Sequence, residues 1–315
     1  MVFLMIWLFV DLPDILFRRD KNVGKKGFQA VETQCIAFLF LSITALSQYF
    51  FKQKMPNQQK KYYLCPPKKT TNKQIIYMKL LLISNSTNPG EAYLAFPKYE
   101  IQDFLGKEGV EALFIPYAGV TFSYDEYEAK VNNRFVEIGH KVKSIHHFDD
   151  PIEAVAKAKA IIIGGGNTWK LTRMLHDNGI IPVIREKVLA GTPFIGWSAG
   201  SNVACPTIRT TNDMPIINPM TFEVMNLVPF QINPHYLDNN PENHGGETRE
   251  QRIEEFIFEN RDVYVVGLRE GTMLRYEDEN LRFIGGKQQR KARIFKFGSK
   301  PKELSEKDDF NFLMK

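Results

Sequence analysis

With 315 residues, 43% of them hydrophobic and 24% charged, the chain holds enough apolar material for one large α/β domain plus an appendage, which argues against a disordered or fibrous protein. The net charge of +5 is concentrated at one end: residues 1–77 carry twelve Lys/Arg against four Asp/Glu, leaving 29 against 32 in residues 78–315. That slightly acidic remainder has no basic stripe interleaved with aromatics, so nucleic acid is not expected as a partner.

Residues 1–77 differ in kind from the rest of the chain. Two short apolar patches, Val2–Val10 and Cys35–Leu46, flank the basic stretch Arg18–Gln34, and a Lys/Gln/Pro-rich segment runs from Lys52 to Lys73. Neither patch reaches the roughly 20 apolar residues of a spanning helix, and no basic region precedes the first one as a signal peptide requires. Three readings stand: a weak membrane anchor, a disordered extension, or upstream sequence from an early start. The strand pattern beginning at Met78 favours the last. Cys35, Cys65 and Cys205 are odd in number and widely spaced, so neither a disulfide framework nor zinc spacing is expected, and Cys205 reads as a small buried hydrophobe.

From Met78 strands and helices alternate. Strand candidates are Met78–Ile83, Glu111–Ile115, Lys141–Ile145, Ala160–Ile163, Pro193–Trp197, Val263–Gly267, Leu281–Ile284 and Arg293–Phe297. Helix starts are marked by Asp150-Pro151, by Pro182, and by the capping box Thr248-Arg-Glu-Gln251. Such alternation predicts an α/β fold, a three-layer, mostly parallel sheet with helices on both faces and ligands beyond the carboxyl ends of the strands. The domain is expected over 78–298, with a charged, solvated tail over 299–315.

Two loops meet that condition. Gly196-Trp-Ser-Ala-Gly200 places Ser198 in a G-x-S-x-G setting directly after an apolar strand, the way a serine nucleophile is presented on a sharp strand-to-helix turn. Gly164-Gly-Gly-Asn-Thr168, before a helix read as capped by Thr168, can bring backbone N–H groups close to an anion, either phosphate or a transient oxyanion. It lacks the spacing and lysine of a nucleotide loop. As an oxyanion hole it would work with the N–H of Ala199. The serine needs a base. His140, His146, His147 and His176 read as structural or solvated, whereas His235, beside Pro234, is preferred to His244, which precedes two glycines.

These residues converge on a family. Gly164-Gly-Gly-Asn-Thr168, Gly196-Trp-Ser-Ala-Gly200, the run Ala204 to Pro215, Gln231-Ile-Asn-Pro-His235 and Gly246-Glu-Thr-Arg-Glu-Gln-Arg252 together resemble the peptidase E family of α-aspartyl dipeptidases, from Met78 to about Phe297. The resemblance implies a class I glutamine amidotransferase-like fold and a cytoplasmic serine exopeptidase that cleaves Asp-Xaa dipeptides without metal or cofactor. Membrane association would come only from residues 1–77. It implies Ser198 as nucleophile and His235 as general base, with Asp213 and Glu270 as rival candidates for the third member. Gly166 and Ala199 would form the oxyanion hole. Asn167 and Arg209 are the expected substrate-binding residues, Arg209 gripping the aspartyl carboxylate and Arg249 standing second. Two competing expectations are a cyanophycinase-like hydrolase of β-aspartyl polymers, which would need an extended groove, and a non-catalytic small-ligand module, which would not need Ser198 and His235 together.

Overall fold

The computed structural model describes residues 78–240 and 245–315; the expectations for residues 1–77 and for His244 lie outside them. Among the described residues no helix is long and apolar enough to cross a membrane.

Seven strands form the central sheet in the order β3-β2-β4-β5-β1-β8-β9. The five strands β1 (Leu80–Ile83), β2 (Glu111–Ile115), β3 (Lys141–Ser144), β4 (Ile161–Ile163) and β5 (Phe194–Trp197) run parallel, while β8 (Met273–Glu277) and β9 (Asn280–Ile284) add an antiparallel edge. Successive side chains of a strand point to opposite faces, and in β1 both faces are covered. Leu80 and Leu82 join one apolar cluster, Leu81 and Ile83 the other. Helices α1 (Lys98–Leu105) and α2 (Tyr124–Val136) supply Ile101, Phe104, Val131 and Phe135 to the second cluster. The first is covered by α3 (Pro151–Lys157), α4 (Thr168–Asp177), α5 (Ile181–Leu189) and the one-turn α6 (Ala199–Asn202). Burial on both faces is why these strands read as continuous apolar runs.

Behind α6 stands a second sheet that the sequence reading did not separate, ordered β11-β10-β7-β6 and made of β6 (Gln231–Tyr236), β7 (Val265–Arg269), β10 (Ala292–Phe295) and β11 (Lys302–Leu304). Helix α7 (Arg249–Glu259) packs on it through Ile253 and Ile257. The capping box at Thr248 forms: its hydroxyl accepts from Gln251 N–H and the Gln251 side chain accepts from Thr248 N–H. Asp150 likewise caps α3, accepting from the amides of Ile152 and Glu153.

Residues 299–315, expected as a solvated tail, belong to the fold. Strand β11 pairs antiparallel with β10, and Phe310 and Leu313, at 0% and 1% exposure, enter the main core. Phe310 stacks on Phe283 at 5.4 Å. Glu303 on β11 bridges Arg269 and Arg293 at 2.9 Å each. Charge count alone hid these anchors, because the apolar residues come last in an otherwise polar segment.

Candidate active site

The elbow is built by steric necessity. Ser198 follows β5 with φ 53° and ψ −112°, a strained conformation for a residue with a side chain. Its N–H donates to the Ile83 carbonyl, fixing the turn to β1. A Cβ on Gly196 would come within 2.4 Å of the Gly200 carbonyl oxygen, and one on Gly200 within 2.1 Å of the Ile163 carbonyl oxygen. Both positions therefore exclude a side chain. Gly200→Ala is expected to cost about 1–3 kcal/mol by overpacking, read as a lowered urea midpoint with unchanged slope.

His235 reaches Ser198 from the other sheet. Strand β6 pairs in parallel with β7, and a register shift between Pro234 and Tyr236 leaves His235 at φ 52°. Its N–H donates to Ser84 Oγ, whose own hydroxyl donates to the Leu268 carbonyl. So held, the imidazole accepts from Ser198 Oγ at Nε2 (2.9 Å) and donates from Nδ1 to Glu270 Oε1 (2.7 Å). Glu270 stands one residue past the end of β7, and the next residue, Gly271, donates its N–H to Asn85 Oδ1. The carboxylate is thus pinned by backbone on both its strand and its loop side.

Asp213, the rival acid, is engaged elsewhere. Its Oδ2 accepts from the N–H and hydroxyl of Thr168 (2.8 and 2.6 Å) and from Thr211 Oγ1. It thus neutralises the amino end of α4. The true N-cap of that helix is Asn167, whose Oδ1 accepts from Lys170 N–H, rather than Thr168, which is the first helical residue. Asn167 Nδ2 donates to the Met214 carbonyl.

The glycine loop abuts the elbow: a Cβ on Gly165 would stand 3.1 Å from Ser198 Cβ. Gly166, at φ +135°, lies against the Ala118 carbonyl, where no side chain fits. Among the described residues neither Gly166 N–H nor Ala199 N–H donates to a protein acceptor. Tyr127 braces the loop, donating from its phenol to the Gly165 carbonyl at 2.8 Å. Burial pushes that phenol up to about 12, so it stays a neutral donor. The resulting cleft, about 670 Å³, is lined by Ser198, His235, Asp213, Glu126, Lys130 and Tyr93 among others.

Comparison with known proteins decides what this arrangement belongs to. The model of the family described as Peptidase family S51 matches residues 80–284. The chain belongs to peptidase family S51. It is 51% identical to a protein of Nostoc sp. named Peptidase E over 236 residues, 75% of this chain and 96% of that relative. It is 44% identical to a Streptomyces coelicolor protein of the same name, covering 75% of this chain and 95% of the relative. Among solved structures, a peptidase from an acI-B1 actinobacterium superposes with TM-score 0.54 at 17% identity, covering 75% of this chain and 98% of that one, which speaks for the fold. As a family member the protein is a peptide-bond hydrolase, and peptides are its substrate class.

In this family S51 peptidase Arg209, expected to grip substrate, is exposed, lies with its guanidinium 5.3 Å over the Phe222 ring, and does not line the cleft. Arg249 does not line the cleft either, but it stands near Asp213, which does. It is half-buried, donates to Asn212 Oδ1, and lies close enough to Asp213 to feel its charge. Burial, then the neighbouring Arg252, lower its pKa, with Asp213 pulling the other way. The guanidinium stays charged and has the fork geometry that pairs with a carboxylate.

Among the described residues, no other histidine bonds to Ser198. His140 is buried, accepting from Val110 N–H, with burial lowering its pKa; His176 meets the Glu223 carbonyl. The Cys205 thiol is buried and pushed up to about 12, which removes it as a nucleophile. Sequence reasoning missed Ser84, Glu126, Tyr127 and Lys130. Nothing in their spacing points to Ser198; the amphipathic period of α2 identifies Tyr127 as inward but not what it touches.

Proposed function

We propose that this family S51 peptidase hydrolyses dipeptides with N-terminal aspartate through an acyl-enzyme on Ser198. The observation that carries the reading is the unbroken hydrogen-bond relay Ser198–His235–Glu270 opening into a cleft that holds both signs of charge. His235 takes the serine proton as Oγ attacks the aspartyl carbonyl, and Glu270 holds the imidazolium and its tautomer. Gly166 and Ala199 donate their N–H groups to the tetrahedral oxyanion, where losing one donor costs about 3–4 kcal/mol in the barrier. His235 then protonates the leaving amine, and water repeats the cycle on the acyl-enzyme.

Specificity follows from the charges around the serine. An aspartyl terminus presents an ammonium and a β-carboxylate on one residue; Asp213 suits the first and Arg249 the second, with Lys130 supplying further positive field. A cleft of this volume suits a dipeptide better than a polymer. The test is release of free leucine from Asp-Leu by the full chain, with N-acetyl-Asp-Leu as the blocked control. Turnover of the first alone is expected, and no leucine release from either would overturn the reading. Arg249→Ala is expected to lower kcat/KM on Asp-Leu by about 10–100-fold, the worth of one hydrogen bond to a charged group, and to change cleavage of a neutral dipeptide far less. Equal losses on both would return Arg249 to a structural role.

A further inference from the structure

We propose that His146, His147, Asp125 and Glu128 form a binding site for one divalent transition-metal ion of zinc type. The four come from two elements. Asp125 and Glu128 lie in the first turns of α2, three residues apart and so on one helix face. His146 and His147 end a 3-10 turn, Ile145–His147, that directly follows β3. One ligand atom from each falls within 4.8 Å of all the others.

Three of the separations between these atoms are of the size that a bound ion requires. His146 Nε2 stands 3.0 Å from Asp125 Oδ1, His147 Nε2 3.6 Å from that same oxygen and 2.6 Å from Glu128 Oε2. Ligands about 2.0 Å from a tetrahedral zinc ion are about 3.3 Å apart, so these separations bracket the edge of such a tetrahedron. Both imidazoles turn the same nitrogen, Nε2, to a shared carboxylate oxygen, with ring centroids 4.0 Å apart. Ligand orientation is also supported from behind. Ser144, fully buried, meets His146 Nδ1 through its hydroxyl at 2.6 Å and donates its N–H to Glu128 Oε1 at 2.7 Å, leaving the ring nitrogen and the second carboxylate oxygen facing inward. Partners of this sort fix ring orientation in metal sites. Two imidazoles with two carboxylates select a zinc-like ion over calcium or magnesium, which take oxygen ligands.

The site lies on the face of α2 opposite Tyr127 and Lys130, which serve the catalytic cleft. It touches neither Ser198 nor His235 and stands apart from the proposed reaction. An ion there would tie α2 to the end of β3 and so stiffen the helix that braces the glycine loop.

The test is calorimetric titration of chelator-treated full-length protein with zinc chloride, with cobalt(II) absorption as a second probe. One equivalent should bind, giving cobalt d–d bands and a Tm that rises with zinc. His146→Gln with His147→Gln, and separately Asp125→Asn with Glu128→Gln, should each weaken binding at least tenfold and abolish the Tm rise. Ser144→Ala should weaken it about tenfold. Circular dichroism checks folding; should the histidine pair fail to fold, the isosteric carboxylate pair decides. Absence of saturable binding in the wild type, or binding unchanged in the carboxylate variant, would overturn the proposal and leave a set of histidine–carboxylate hydrogen bonds.

Discussion

Replacing Ser198 with alanine is expected to reduce kcat on Asp-Leu by at least about 10⁴-fold while leaving the fold intact. The hydroxyl oxygen is the only heavy atom removed, and alanine accepts the backbone conformation no worse than serine does. What remains is binding and the two N–H donors proposed for the oxyanion, Gly166 and Ala199; in triad enzymes such a remainder sustains a residual rate of about 10³–10⁴ over water. His235→Ala should fall as far, and the double variant no further than either single one, because nucleophile and base act as one unit. Additive losses would mean that Ser198 and His235 serve separate steps, contrary to their 2.9 Å contact. Substrate binding is the internal control: calorimetry of Asp-Leu with the Ser198→Ala protein should still give saturable binding. Binding without turnover in the wild type as well would select a ligand-binding module instead.

How much of this was legible in the chain depends on how local each feature is. The elbow is written in five consecutive residues, since the clashes that demand Gly196 and Gly200 arise within the turn and against the adjacent strand. The parallel core was equally legible, because strands buried on both faces leave uninterrupted apolar runs. Strand β6 was not, although it carries His235. Pro234 in its middle argues against a strand, and is tolerated because β6 lies at the edge of its sheet, where a missing N–H leaves no ladder partner unpaired. Without β6 its pairing with β7 could not be foreseen, and that pairing alone brings Glu270 beside His235. Arg209 misled for the complementary reason. It lies between Ser198 and Asp213 in sequence, yet the chain turns its side chain onto Phe222. The ion-binding cluster had the same obstacle: adjacent histidines at the end of a strand carry no signal until α2 sets two carboxylates against them.

The choice between the two acids yields the second large effect. Glu270→Gln keeps the shape and one hydrogen-bonding oxygen but removes the charge that stabilises the imidazolium and can present an amide N–H to Nδ1, favouring the wrong tautomer. Loss of the equivalent charge in a buried triad costs about 10⁴-fold in kcat; with the Glu270 side chain 34% exposed, water can take over part of its role, so a loss of about 10²–10⁴-fold is expected here. KM should change little, because Glu270 faces the imidazole and not the cleft lining. Asp213→Asn should behave oppositely. Its Oδ2 is occupied by Thr168 and Thr211, so the substitution removes a charge from the cleft and from the amino end of α4 without touching His235. A raised KM for Asp-Leu, with kcat within about tenfold, is the expected result, together with a lowered Tm from the weakened helix terminus. Steady-state kinetics on the two variants separates the assignments. If Asp213→Asn lost 10³-fold or more in kcat while Glu270→Gln lost less than tenfold, the relay would have to run through Asp213, and the imidazole would have to leave its 2.7 Å contact with Glu270 during the reaction.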